Sequence, residues 1–380
     1  MSCIKHRRQI AVIGSAGLAT ITLVLLFFLP EETPLTAAVE EPLLRATTWP
    51  TADPRELGMD EGALEKLADL VDGAGFVAHR GRAIFRWGYD HRPRYAASAK
   101  KSVISALNLQ AVEQGLLSGV DEPVVKFEPR LAELNGGIDA GMTWRHLGCM
   151  TSGYGATDTP GQAFSYNDFA VALWYDTLMD KVYREKGTEV LKRQLAGPLG
   201  FEDEVTFQAF GPQGPEPKLR ISARDLARFG QMILDGGRAA DGTRVLSEAS
   251  LQTLLGSVVP VTLPISKGLA EPMIPGQKTV GGQMWNNSPI GPGRYSFHFW
   301  LNKRGPTNLM MLPEAPGDTI LASGKWGETT LWIIPSLELV VAWNDSDIAD
   351  HHLAREYPAA KMNEASRLIV QAVTGSPLKR

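Results

Sequence analysis

The chain has 380 residues, enough for one large domain or two smaller ones, with 44% hydrophobic and 21% charged residues, the balance of an ordinary globular protein. A formal net charge of −4, with no basic stripe and no basic–aromatic interleaving, argues against a nucleic-acid partner. Two cysteines, Cys3 and Cys149, cannot build a disulfide framework, and seven histidines without HExxH or HxH spacing give no metal site.

Ile10 to Leu29 is uncharged, mostly apolar and just long enough to span a bilayer. Lys5, Arg7 and Arg8 precede it and Glu31 and Glu32 follow, which would hold the N-terminus in the cytoplasm and the bulk of the chain outside. Leu18 to Leu29 would equally serve as the apolar core of a signal peptide cleaved near Thr36-Ala37-Ala38. Both readings of residues 1–30 make the remainder extracytoplasmic: periplasmic or at the cell surface, and with an uncleaved segment anchored in the inner membrane. Residues 31–54, rich in Pro, Glu and Thr, read as a linker.

Asp60 to Val71 carries a helical stripe (Leu64, Leu67, Leu70, Val71) with Asp60 as N-cap. Phe76 to His79 and Ala83 to Trp87 predict a hairpin turning at Arg80-Gly81. A helix is expected from Ser98 to about Leu117, apolar on nearly every side at first, as a buried central helix is. A mostly helical and looped stretch follows to about Leu255, containing a helix opened by Ser222 and stopped at Gly236-Gly237. Tyr295 to Leu301, Thr319 to Ser323, Thr330 to Ile334 and Glu338 to Trp343 predict strands, and Ala359 to Thr374 a closing amphipathic helix. Strands at both ends with helices between imply one sheet built from both termini, with a helical lobe at about 105–255 inserted into a domain spanning 55–376.

The chemistry concentrates at Ser98 and Lys101. Residues i and i+3 share a helix face, so the Lys101 amine can reach the Ser98 hydroxyl. A serine is a weak nucleophile until a base takes its proton, and a lysine can be that base if burial and nearby positive charge lower its pKa. A helix N-terminus at Ser98 would also favour developing negative charge. The spacing S-x-x-K recurs at Ser2/Lys5 and Ser376/Lys379, but only Ser98/Lys101 opens a buried-looking helix. No G-x-S-x-G elbow competes. Tyr154, Trp285 and Trp300 could line a pocket, though such aromatics are more often core; His351-His352 reads as a surface pair.

Several segments in order resemble the serine β-lactamase/DD-peptidase superfamily, nearest in pattern to class C β-lactamases, family VIII esterases and 6-aminohexanoate-oligomer hydrolases. They are Gly75-Phe-Val-Ala-His-Arg-Gly81, Ser98-Ala-Lys-Lys101-Ser102, Met142 to Gly153, Pro160 to Asp168, Pro198-Leu-Gly200, Ser222 to Gly230, and Ala322-Ser-Gly324-Lys-Trp-Gly327 before Leu331 to Pro335. The resemblance covers roughly Leu57 to Thr374. It implies an α/β (α+β) fold of β-lactamase/transpeptidase type, an antiparallel sheet flanked by helices, and no cofactor. It implies Ser98 as nucleophile and Tyr166, from the family's Tyr-x-Asn motif, as proton partner of Lys101. Asp168 stands where that motif has Asn, a charge that could keep Lys101 protonated. For the third motif, Lys-Thr-Gly or His-Thr-Gly, two registers compete. Ala322-Ser323-Gly324 keeps the spacing to the next strand and makes the Lys325 N–H the second oxyanion donor beside that of Ser98; Lys325-Trp326-Gly327 keeps a cation. With the first, Ala322 cannot hold a substrate carboxylate, which favours small-molecule esters or amides. A β-lactamase or D-Ala-D-Ala carboxypeptidase is the alternative, and a non-catalytic penicillin-binding-like sensor or cell-wall module the alternative of another class.

Overall fold

A computed structural model describes residues 48–156, 158–209, 217–268, 274–277, 291–348 and 360–375. The segment 10–29, Cys3, Trp285 and the pair His351-His352 lie outside the described residues. Among the described residues no helix is long and apolar enough to cross a membrane.

The main sheet has seven strands. They are β1 (Ala74–His79), β2 (Arg82–Trp87), β6 (Tyr295–Ser296), β7 (Phe299–Leu301), β8 (Ile320–Gly324), β9 (Thr329–Ile334) and β10 (Leu339–Asn344). Their order is β2-β1-β10-β9-β8-β7-β6, every described pair antiparallel. The N-terminal hairpin therefore joins the sheet beside its last strand. Arg80 and Gly81, at φ +52° and +70°, make the tight turn between β1 and β2. Every residue of β1, β9 and β10 is buried, so both faces of the sheet centre are covered, and these strands read as apolar runs rather than alternating ones.

Helix α1 (Glu61–Val71) has Asp60 as N-cap and packs on α9 (Ala360–Thr374). Helix α7 (Ala223–Leu234), capped by Ser222, crosses β1, β9 and β10. At Gly230 its backbone lies so close that a Cβ would come 2.6 Å from Leu331 and 2.9 Å from Val340. Between the terminal halves of the sheet run α2 (Lys100–Glu113), α3 (Trp144–Gly148), α4 (Asp168–Asp176), the short helices α5 (Gly187–Leu191) and α6 (Gly197–Leu199), and α8 (Glu248–Gly256).

Four expectations change. The helix at Ser98 begins with a 3-10 turn, Ala97–Ala99, and its α-helical part ends at Glu113 rather than Leu117. The single strand foreseen over Tyr295 to Leu301 is two, because Phe297 and His298 take positive φ (+39° and +63°) and fold β6 onto β7. The stretch read as helix and loop contains part of a second, three-stranded sheet of β3 (Arg94–Tyr95), β5 (Lys218–Ile221) and β4 (Thr206–Gln208). Its strands are too short for a periodic signal. The end of the presumed linker is part of the fold: Trp49 packs on Phe76 with centroids 5.0 Å apart, and Thr51 bridges Ala83.

Candidate active site

Ser98 lies in the turn between β3 and α2. Ala97 before it has φ +46°, a sparsely populated value for a residue with a Cβ and a sign of locally stored strain. Helix α2 is buried from Lys100 through Ala111, so its first turn delivers Lys101 into the interior. There Lys101 Nζ donates to Ser98 Oγ at 2.9 Å and to Tyr166 Oη at 2.8 Å, and lies 2.9 Å from Asp168 Oδ1.

A single cap positions both partners from the lobe. Asn167 is the N-cap of α4, its side-chain oxygen accepting from the Phe169 and Ala170 N–H groups at 2.9 and 3.2 Å. Tyr166 precedes that cap and Asp168 follows it as the first helical residue, where the helix dipole favours a carboxylate. The Tyr166 ring stacks on Trp300 (6.0 Å, 19°) and meets Tyr295 edge-on (6.2 Å, 79°), which fixes its hydroxyl toward Lys101.

The third-motif segment ends β8. Gly324 backs onto the Ser98 turn so tightly that a Cβ there would sit 2.6 Å from the Ala96 carbonyl oxygen and 2.8 Å from the Ser98 nitrogen. Gly327, the glycine of the competing register, faces Met362 and Ile348 instead. The strand therefore approaches Ser98 in the register Ala322-Ser323-Gly324. Lys325, at φ +44°, opens the next turn, and its side chain is committed to Glu328 at 3.0 Å on the surface. Ala322 is buried and Ser323 half-buried.

Burial by itself would lower the Lys101 pKa, but the Asp168 carboxylate and then Tyr166 outweigh it, and the ammonium is held above the usual lysine range. The lowering that base duty at neutral pH requires is thus absent from this lysine. Burial would likewise raise Asp168, but Lys101 and Lys100 pull it below the usual carboxylate range. Lys100, which the sequence reading passed over, is the second buried lysine of the motif. Burial and the charge on Lys101 bring its pKa down to about 7, and its amine lies 3.4 Å from the Tyr95 hydroxyl. The available signal was a lysine in the second variable position of S-x-x-K, just ahead of the apolar Val103 and Ile104.

Other candidates fall elsewhere. Tyr154 is core, its hydroxyl donating to Gln277 and accepting from the Ile274 N–H. Trp300 does reach the site, through Tyr166. Cys149 is buried and unpaired among the described residues, and burial pushes its thiol up to about 11, so it is inert. No cluster of three or more metal-ligating side chains occurs among the described residues.

An amine, a phenol and a glycine-ended strand converge on the Ser98 hydroxyl, an arrangement that suits acyl transfer of the S-x-x-K serine type. The profile of the Beta-lactamase family matches residues 66–344, and the chain belongs to that family of serine hydrolases. It is 37% identical over 92 residues to penicillin-binding protein 4 of Amycolatopsis lactamdurans, a match covering 20% of this chain and 24% of that protein. The chain therefore matches about a quarter of that relative's length. Among solved structures it is similar to a putative 6-aminohexanoate-dimer hydrolase from Bacillus anthracis (TM-score 0.59, 15% identity, 87% of this chain and 88% of that one). It is also similar to a family VIII carboxylesterase (TM-score 0.56, 13% identity, 84% and 98%). At these identities the structural likenesses speak for the fold.

Proposed function

We propose that this protein hydrolyses esters or amides lacking a recognition carboxylate, through an acyl-enzyme on Ser98. The observation that carries the reading is the contact of Lys101 with both Ser98 and Tyr166, with the Gly324 backbone against the same serine. Ser98 Oγ attacks the carbonyl while Lys101 and Tyr166 carry its proton. The N–H groups of Ser98 and Lys325 receive the oxyanion, each such donor contributing about 3 kcal/mol to lowering the barrier. Tyr166 protonates the leaving group, and water resolves the acyl-enzyme with the roles reversed.

Substrate class follows from β8. Ala322 is buried and has no charge to offer, and Lys325 is engaged with Glu328. A substrate carboxylate finds no preset cation on this strand, so a β-lactam or a D-Ala-D-Ala peptide loses an anchor that a plain ester does not need. The structural relatives named as a carboxylesterase and as a 6-aminohexanoate-dimer hydrolase fit the same reading. A non-catalytic sensor would have no use for nucleophile, amine and phenol together.

The charged flank Lys5, Arg7 and Arg8 before the apolar run 10–29 supports an extracytoplasmic enzyme, anchored or exported. A C-terminal reporter active only in the cytoplasm would refute that placement. The reaction is tested with a fluorophosphonate reagent and a substrate panel of short p-nitrophenyl esters, linear amides, nitrocefin and D-Ala-D-Ala peptides. Labelling and ester turnover should both vanish in Ser98→Ala; a fully labelled alanine variant would refute Ser98 as nucleophile.

A further inference from the structure

Three acceptors surround the Lys101 amine at 2.8–2.9 Å: Ser98 Oγ, Tyr166 Oη and Asp168 Oδ1. An ammonium has three N–H donors and no lone pair. The two hydroxyls each accept one of these donors and the Asp168 carboxylate stands at ion-pair distance, so nothing on Lys101 can take a proton from Ser98 until one of its own has left. Of the three acceptors only Asp168 is a carboxylate. It replaces the amide that the Tyr-x-Asn pattern would put there, and an amide cannot accept a proton whereas a carboxylate can.

Resting on the Ser98 reading above, we propose that Asp168 is the end of the proton path in acylation, receiving through Lys101 the proton that Ser98 gives up. A Lys101 N–H bond breaks and an O–H bond forms on Asp168 Oδ1, turning the ion pair into a neutral pair. The amine rotates about its Cε–Nζ bond and presents the freed lone pair to Ser98. The Ser98 O–H bond then breaks as Oγ bonds the substrate carbonyl, and the proton restores the Lys101 ammonium. Across the step one negative charge moves from Asp168 to the oxyanion, and Lys101 ends as it began.

The side chain of Lys101 is 1% exposed and that of Asp168 15%. The resting ion pair is favoured, with Lys101 held above and Asp168 below their usual ranges, so the first transfer is an uphill step completed only as the oxyanion forms. The groups facing the pair are Lys100 on α2, Tyr95 on β3, Tyr166 before α4, and Tyr295 and His298 from the β6–β7 hairpin. His298 is held neutral by its burial and adds no charge, and burial raises Tyr95 and Tyr295, which stay protonated at physiological pH. Asp168 acts through Lys101 and is a positioning residue in this scheme.

The test measures the rate of Ser98 phosphonylation by a fluorophosphonate, on the full chain, from about pH 5 to about pH 9, for wild type, Asp168→Asn and Asp168→Glu. Because the acceptor is an ionised carboxylate, wild type should vary no more than about threefold over that range. Asp168→Asn must use the free amine of Lys101, so it should fall at least ~10-fold near pH 6 and recover toward wild type by about pH 9. Asp168→Glu should regain a flat profile with part of the rate. An Asp168→Asn variant as fast as wild type near pH 6 would overturn the proposal. So would a loss equal at every pH, the mark of a merely structural role. If Asp168→Asn does not fold, a wild-type rate that climbs about tenfold per pH unit between pH 6 and 8 overturns it instead. Absence of any Ser98 labelling in wild type would refute the hydrolase reading rather than this one.

Discussion

Two side chains set the character of the site by what they are not. Ala322 is not a cation, and its methyl is buried beside Leu331 on β9. A charge-assisted hydrogen bond to a substrate carboxylate contributes about 1.5–3 kcal/mol, or roughly one to two orders of magnitude in kcat/KM when made in the transition state. Ala322→Lys should therefore raise nitrocefin hydrolysis relative to p-nitrophenyl butyrate hydrolysis, read as a ratio of kcat/KM values. Efficient wild-type cephalosporin turnover, above that of the ester, would show that another group holds the carboxylate. Lys100 is the other case: a lysine that is 2% exposed. Its folded pKa of about 7 lies below the ordinary 10.5, so between these values the unfolded chain binds a proton that the folded chain does not. Stability from this group therefore rises with pH over that window. Lys100→Met should stabilise the fold near pH 7 by ~1–3 kcal/mol, with the gain shrinking toward pH 10, as measured by urea unfolding at several pH values. A gain that grows with pH would have the wrong sign for a buried lysine.

At the scale of elements, the decisive contact is β8 against the turn that opens α2. It exists because position 324 has no side chain: an added Cβ would fall within 2.8 Å of backbone oxygen and nitrogen, which cannot swing aside as a long side chain can. Gly324→Ala should push the strand end off Ser98, misalign the Lys325 N–H and cut ester kcat by about 10²-fold, in the range found for losing one oxyanion donor. Thermal unfolding and phosphonylation, followed on the same sample, separate this from collapse of the fold. A variant that retains full kcat would mean that the strand is not part of the oxyanion site. The Asn167 cap works similarly from the other side. By fixing the first turn of α4 it holds Tyr166 and Asp168 in one rigid corner, so two functional groups depend on one ordinary local motif.

For the whole molecule, the first and last parts of the described fold share one structure. β1 pairs with β10, α1 packs on α9, and the Asp60 N–H bonds the Ala372 carbonyl. Helix α9 buries Met362, Ala365, Leu368, Ile369 and Ala372. A truncation at residue 359 would expose that surface and leave the sheet centre uncovered on one side, so it should yield aggregated or protease-sensitive protein rather than a slower enzyme. Soluble, protease-resistant protein with a cooperative melt would show that the sheet holds without its closing helix.

Much of this was legible in the chain itself. The strand-rich ends, the caps Asp60 and Ser222, the turn at Arg80-Gly81 and the pairing of Ser98 with Lys101 are local patterns, each fixed by residues within a few positions of one another. The order of motifs sufficed to place Tyr166 and to weigh the two registers at residues 322–327. Other features had no local signature. The three-stranded sheet of β3, β5 and β4 joins strands of two to four residues from distant parts of the chain, too short for periodicity to show. The fold-back at Phe297-His298 has no turn-forming residues and is imposed by packing: His298 stacks on Trp174 and bonds Ser105 in the core. The protonation of Lys101 was the least legible feature. Helix geometry alone shows that an amine can reach Ser98. Whether that amine is base or acid depends on the dielectric around it and on a carboxylate 67 positions away, and only the assembled interior brings those two together.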